Sequence, residues 1–375
     1  MMFNALLLLW ISGHILFLSY LIRLNILLRI LVNIFIIIIF SFIYLVKPLS
    51  YDLVIYDEYL KEGTVYSKDI GFILLQYIIL KIPIENKVEI ISGLLGILIV
   101  IIAFYLVKGK NIEKLTSIVA VMLGSVYFVL STGNALRQGF SSIFLILSYL
   151  YMFESKIKSV LFLLLAYSFH SSALIFYTFF LLTYLVQNIS FNDRLYIETG
   201  KFIKKIKSRT IIFKYSVAFL WVLYIFSIVC IVGLFFIRFT DFAHYLDFVL
   251  EEGRMKPVYK IIPVAFMFFL SEYFLTQSNS FTSQSTEFKR LRLLRSYLFI
   301  LLLSLLPYKS FAEAWSRILF FYFCVDAYML VCLKVRNIYD RLYFSLVNFS
   351  YGFYINAINV LIGGFYTSLV NALTG

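Results

Sequence analysis

Residues 90–107 read Ile90-Ile-Ser-Gly-Leu-Leu-Gly-Ile-Leu-Ile-Val-Ile-Ile-Ala-Phe-Tyr-Leu-Val107. As a helix, this uncharged run would be about 27 Å long, close to the roughly 30 Å hydrocarbon core of a bilayer. Apolar runs recur at 3–21, 30–46, 115–132, 138–153, 159–169, 171–186, 211–237, 257–275, 296–306, 318–334 and 342–362. They leave no stretch large enough for a separate soluble catalytic domain. The expected fold is therefore an all-α polytopic membrane protein of about twelve transmembrane helices, forming one integral membrane domain over residues 1–375. Composition agrees: 62% of residues are hydrophobic, 14% are charged, and mean hydropathy is +0.93. Ordinary soluble domains are about 45–50% apolar.

The net charge of +13 would suggest nucleic acid in a soluble protein. Here its distribution points to orientation. Short Lys/Arg-rich loops lie in the cytoplasm, and the two richest are Arg194–Arg209 and Lys289–Arg295. With these inside, the inner loops (22–29, 108–114, 154–158, 187–210, 276–295, 334–341) hold 20 basic and 6 acidic residues. The outer loops (47–88, 133–137, 238–256, 307–317) hold 11 of each. The excess is topological, so no nucleic-acid partner is expected. The N-terminus lacks a basic n-region and a small-residue cleavage site, and is expected to be a retained first span. Cys230, Cys324 and Cys332 fall inside apolar runs with no disulfide or metal-ligand spacing. No metal or cofactor is expected.

This topology holds only if the apolar piece at 70–82 does not cross and 159–186 crosses twice. About 20 Å of helix is too short to span, so 70–82 is expected to be re-entrant or interfacial. The second segment becomes a helical hairpin turning at Phe169-His170-Ser171-Ser172. Irregular backbone below the membrane surface must be buried in protein or line a watery cavity. That makes this turn a place to look for a site.

Four outer elements carry the polar residues next to membrane, forming the expected active face. Pro48 to Tyr59 contains Asp52, Tyr56, Asp57 and Glu58, and leads to Lys68-Asp69-Ile70-Gly71-Phe72. A carboxylate beside apolar surface has its pKa raised by desolvation and can act as a general base for a hydroxyl; Asp57, Glu58 and Glu62 also fit a merely solvated acidic loop. Gly133-Asn134-Ala-Leu-Arg137-Gln138-Gly139 places an arginine at a span start. There it can present a donor fork to a phosphate or carboxylate, or snorkel to the headgroups. His170 can accept or relay a proton, while Ser171 and Ser172 can cap the hairpin. His14 and His244 are read as structural. Phe239, Phe242, Tyr245 (or Leu246) and Val249 recur at helical spacing opposite Asp241, Asp247, Glu251 and Glu252, as in an interfacial amphipathic helix. Glu313-Ala-Trp-Ser-Arg317 precedes the span at 318, and Asp326 within that span needs a partner or solvent.

In order and separation these residues resemble the EpsG-type polysaccharide polymerases, relatives of the Wzy O-antigen, capsule and exopolysaccharide polymerases. The matching residues are Asp52 and Tyr56, Asp69-Ile70-Gly71-Phe72, Asn134 with Arg137-Gln138, Phe169-His170-Ser171-Ser172-Ala173, Tyr245, and Glu313 with Arg317. Ser50-Tyr51 stands where the family pattern has Gly-Thr, and Asp69-Ile70 where it has Glu-Pro. The resemblance implies a Wzy-like, GT-C-like architecture in the bacterial cytoplasmic membrane. It implies a glycosyltransferase joining undecaprenyl-diphosphate-linked oligosaccharide units on the outer face, with release of undecaprenyl diphosphate and scope for a chain-length regulator as partner. Asp52 or His170 would then be the base and Arg137 and Arg317 the diphosphate ligands. Tyr56, Asp69, Asn134, Gln138, Tyr245 and Glu313 would help bind substrate.

Rival readings are a glycan ligase, which moves finished polymer from the same carrier, and a flippase or transporter of lipid-linked oligosaccharide. The latter calls for polar residues through the depth of several spans, where the sequence offers chiefly Asp326 and Glu272. A membrane acyltransferase would need a deep histidine near the cytosol, whereas His170 is expected on the outer side.

Overall fold

The computed structural model describes residues 25–46, 51–65, 67–107, 112–133, 135–174, 176–178, 180–181, 184, 257–277, 284–305 and 312–350. Among them every regular element is a helix and none is a strand. In chain order these are α1 (Ile26–Val46), α2 (Tyr51–Lys61), α3 (Ile70–Leu80), α4 (Lys87–Val107), α5 (Ile112–Gly124) and α6 (Val126–Gly133). They continue with α7 (Leu136–Tyr151), α8 (Lys156–Phe169), α9 (Pro257–Gln277), α10 (Thr286–Leu305), α11 (Ala312–Cys332) and α12 (Ile338–Ser350). The runs expected at 3–21 and 211–237, the segment Phe239–Glu252 with Tyr245, and His14, His244 and Asn134 lie outside the described residues.

The 18 residues read first fall within α4. Val88, Ile91, Leu95, Ile99, Ala103 and Leu106 follow the helical period and are buried, while Leu94, Ile97, Ile101 and Tyr105 are exposed. An apolar inner face backed by an apolar outer one suits a helix whose outer solvent is also apolar. α4 and α11 are each long and apolar enough to cross a membrane. They differ in position: 33% of the apolar window is buried in α4 and 83% in α11. α11 is the central post, packing against α4, α5, α6, α7, α9 and α10. α1, α8 and α9 also present large apolar side chains outward, among them Leu31, Leu161, Leu164, Phe266 and Phe269.

Three elements depart from the sequence expectation. The stretch after Pro48, expected to be loop, forms α2, whose Leu53, Tyr56 and Leu60 share one buried face. The run 115–132, expected to be one span, breaks at Ser125. Its hydroxyl donates to the Met122 carbonyl (2.7 Å) and accepts from the Phe128 amide (3.1 Å), so one side chain caps both helix ends. The basic stretch Lys289–Arg295, expected to be an inner loop, belongs to α10, and Arg292 and Arg295 are buried.

Those two arginines are neutralised in place. Arg295 Nη1 donates to Asp326 Oδ1 (2.9 Å) and to the Tyr343 hydroxyl (3.2 Å), while Nη2 pairs with Glu272. Arg292 Nη2 holds the other Glu272 oxygen at 2.6 Å. The network ties α9, α10, α11 and α12 together and gives Asp326 the partner that its depth requires.

Asp69, Arg137, His170 and Arg317 come together. Elsewhere Arg290 pairs with Glu154 (3.2 Å), and the Gln284 side-chain amide exchanges bonds of 2.9 and 2.8 Å with the Lys334 backbone.

Candidate functional site

Arg137 is the second residue of α7, at the end where α2 and α3 arrive. Its Nε donates to the Tyr56 hydroxyl at 2.9 Å, and its Nη1 donates to Asp69 Oδ2 at 2.8 Å. Tyr56 is 5% exposed and Asp69 9%, whereas the Arg137 side chain retains 32% of its surface. The anchoring atoms are thus buried and part of the guanidinium remains open. A guanidinium has five N–H donors, so donors remain for a ligand after these two bonds.

Local sequence explains why the three residues meet. Tyr56 sits on the buried face of α2 and packs edge-on against Phe72 (ring centroids 5.3 Å apart). Asp69 is the N-cap residue of α3 and its side chain makes no cap bond, leaving the carboxylate to Arg137. Two residues on, Gly71 lets α3 approach α8: a Cβ there would lie 2.5 Å from Ser168 Oγ and 3.0 Å from the Ser168 carbonyl oxygen. Gly139 plays the same part for α7, where a Cβ would lie 2.6 Å from Leu95 Cδ2.

α8 closes the site. Phe169 stacks on Phe140 (5.0 Å) and lies 5.6 Å from Phe144, which fixes where the helix ends. His170 follows in extended backbone, with the chain turning through Ser171 and Ser172 into the helical residues from 173. Burial together with the positive fields of Arg317 and Arg137 lowers its pKa to about 3. The imidazole is therefore neutral at pH 7. Its Nδ1 accepts from the Ser172 amide at 3.5 Å, a long bond that assigns the ring proton to Nε2.

Arg317 arrives on α11, and the Gln138 side-chain amide donates to its carbonyl at 3.3 Å, tying α11 to α7 beside Arg137. The site thus joins Tyr56, Asp69, Arg137, Gln138, His170 and Arg317 from five segments distant in sequence. Asp52 lies on α2 one turn before Tyr56, and Glu313 lies one turn before Arg317 on α11. Their side chains, like Asn134 and Tyr245, lie outside what is described. No group of three or more His, Cys, Asp or Glu side chains able to hold a metal occurs among the described residues.

Sequence reasoning missed the supporting aromatics Phe140 and Phe144, whose helical spacing with Arg137 was available as a signal. It also missed Gln76, fully buried on α3 with neither amide atom hydrogen-bonded. A lone glutamine in the apolar run 70–82 was the clue. No family model, characterised protein or solved structure matches the chain.

What the arrangement can do is bind an anion. Two arginines approach a neutral imidazole with an N–H to give, while Asp69 and Tyr56 hold one guanidinium in a fixed plane. Such preorganised cations stabilise charge that develops on a departing group.

Proposed function

We propose that the chain is a membrane glycosyltransferase that polymerises oligosaccharide units carried on undecaprenyl diphosphate, working at the extracytoplasmic face of a bacterial cytoplasmic membrane. The observation that carries this reading is Arg137, clamped by Tyr56 and Asp69 and set beside His170 and Arg317. The resemblance to the EpsG-type polymerases implies Tyr56, Asp69, Arg137 and Arg317 as substrate-binding residues and His170 as a candidate base. The long apolar α4 and α11 and the outward apolar faces of α1, α8 and α9 support a polytopic membrane protein.

In this reading an acceptor hydroxyl oxygen forms a bond to the anomeric carbon of the donor glycan. The bond from that carbon to the diphosphate oxygen breaks, and its electron pair leaves with the lipid diphosphate. Arg137 and Arg317 neutralise the departing charge. His170, a neutral Nε2 donor beside two cations, suits a hydrogen bond to the diphosphate better than proton abstraction, because both arginines oppose its protonation. Asp52 is then the base that takes the hydroxyl proton.

The flippase alternative gains little from Asp326 and Glu272, since both are engaged by Arg295 and Arg292. A ligase would use the same carrier and similar arginines, and is separated by phenotype. Loss of a polymerase leaves single capped units, whereas loss of a ligase leaves long lipid-linked chains. The direct test is incubation of the purified chain with lipid-linked repeat units alone. A ladder of lengthened products with release of lipid diphosphate is expected, and unchanged single units overturn the assignment.

A further inference from the structure

Arg137 stands near the start of α7 and Tyr151 at its end, about 21 Å apart along the axis. Around Tyr151 lies a second group of side chains that the candidate site does not use. The Tyr105 and Tyr151 hydroxyls are hydrogen-bonded to each other, joining the last turns of α4 and α7. Tyr151 stacks on Phe162 of α8, with ring centroids 5.4 Å apart, and the Lys158 ammonium lies 5.2 Å from the centre of the Tyr151 ring. Three helices thus contribute to one cluster.

The cluster is open and positive. Tyr105 is 53% exposed, and Lys156 and Lys158, both in the first turn of α8, are exposed as well. The nearest carboxylate in sequence, Glu154, is paired with Arg290 at 3.2 Å, and Lys158 makes no ion pair among the described residues. When two hydroxyls bond to each other one hydrogen is used, and the second O–H is left to donate. An ammonium beside a phenolic O–H forms a donor set for a phosphate.

Apolar side chains lead away from this cluster. α4 and α7 run in parallel, since Gly139 near the start of α7 packs against Leu95 of α4 while their ends share the tyrosine pair. α8 returns along α7 through a Ser148–Ser159 bond of 2.8 Å and the Phe140–Phe169 stack. Ile97 and Ile101 precede Tyr105 at four-residue spacing, and Leu161 and Leu165 follow Ile157 in the same way; all five are exposed. Both stripes therefore leave the cluster in one direction, on helices that each pack against α7. Donors for a phosphate at one end and apolar stripes running from it match a phospholipid. A zwitterionic headgroup would bring its own cation among the lysines, so the charge favours an anionic one.

We propose that Tyr105, Tyr151 and Lys158 bind the headgroup phosphate of an anionic phospholipid in the inner leaflet, with its acyl chains along α4 and α8. This rests on the membrane reading, with the loop 154–158 inside, and is independent of the glycosyltransferase reading. The lipid bridges α4 and the α7–α8 hairpin at the end remote from Arg137.

The test purifies the full chain in detergent and titrates it with phosphatidylglycerol or phosphatidylcholine of the same acyl chains, reading retained lipid by native mass spectrometry and stability by thermal unfolding. Wild type is expected to retain phosphatidylglycerol about 10-fold better and to melt higher with it. Lys158→Gln should lose about fivefold of that preference, the scale of one basic residue at a lipid surface. Tyr105→Phe combined with Tyr151→Phe keeps the rings and should lose a similar part. Should the tyrosine double variant fail to fold, the exposed Lys158→Gln still decides. Lys334→Gln, which removes an exposed charge from another inner loop, should keep the preference. No preference in wild type overturns the site, and so does an equal loss in Lys334→Gln, which marks general attraction to basic loops. An unimpaired Lys158→Gln puts the preference elsewhere and overturns it too. Inorganic phosphate that displaces phosphatidylglycerol and raises the melting temperature as much shows a free-anion site in place of a lipid site. A chain that stays dissolved without detergent overturns the membrane reading and the site together.

Discussion

Arg137 and Asp69 stand 68 positions apart in the chain and meet through an Nη1–Oδ2 bond of 2.8 Å. In the proposed mechanism Asp69 is thereby a positioning residue rather than a free base, and the open part of Arg137 is the part left for a ligand. Arg137→Ala is expected to lower ladder formation by roughly two to three orders of magnitude at normal abundance, the scale for losing one preorganised charge donor. Arg137→Lys keeps the charge but not the fork, so it should recover only part of the loss. Asp69→Asn should fall between wild type and Arg137→Ala. Full-length polymer made by Arg137→Ala would remove the arginine from the mechanism.

His170 yields a prediction about pH. Its folded pKa of about 3 lies below the usual histidine value of 6.5. As pH falls below 6.5 the unfolded chain takes up a proton at this position while the folded chain does not, so stability is lost from about pH 6.5 down toward 3. Thermal unfolding between pH 7.5 and 5 should therefore be less pH-dependent in His170→Gln than in wild type. The same variant separates donor from base. Glutamine can donate a hydrogen bond but cannot take up a proton, so it should keep much more activity than His170→Ala, and kcat/KM in wild type should show no limb from a histidine titrating near pH 6.5. Equal and complete inactivation of both variants would restore His170 as the base.

The all-helical class was legible because an uncharged run such as 90–107 leaves a helix as the way to satisfy its backbone in apolar surroundings. Part of the site was legible too: Tyr56, Asp69, Arg137, Gln138, His170 and Arg317 stood out as polar residues at the edges of apolar runs, and they are neighbours. α2 was missed because its polar residues suggested a loop, although Leu53, Tyr56 and Leu60 carry a helical period. The Lys289–Arg295 stretch was misread for a different reason. Charge density marks loops on average, and nothing local announces that Arg292 and Arg295 will find Glu272 and Asp326. Such pairings are properties of packing, not of spacing.

Gly71 links packing to the site. A methyl group there would meet Ser168 Oγ at 2.5 Å and push α3, with Asp69 at its start, away from α8. Gly71→Ala is expected to cost about 1–3 kcal/mol and to lower activity. Adding Ser168→Ala removes the nearest contact and leaves the Ser168 carbonyl oxygen at 3.0 Å, so it should restore part of both. Thermal unfolding and ladder formation for the two singles and the double measure the coupling. A harmless Gly71→Ala would show that α3 does not rest on α8 at this point.

Arg295 and Asp326 set the strongest expectation for stability. Both are almost fully buried and are joined at 2.9 Å, with Glu272 on the other side of the same guanidinium. Arg295→Met removes the cation and leaves Asp326 without its charge partner in an apolar core. Breaking one side of a buried pair costs about 3–5 kcal/mol, whereas replacing both sides with apolar residues is often neutral or stabilising. Arg295→Met alone should therefore sharply reduce folded yield and melting temperature. The double variant Arg295→Met with Asp326→Leu should recover much of the loss, because Arg292 still neutralises Glu272 through its 2.6 Å bond. α11 carries Asp326 in its interior and Arg317 near its start, two and a half turns apart, so this network also sets how α11 sits behind the site. If the double variant refolds yet polymerises poorly with an unchanged KM, the buried charges orient Arg317 for the chemical step; if activity returns with stability, they serve the fold alone.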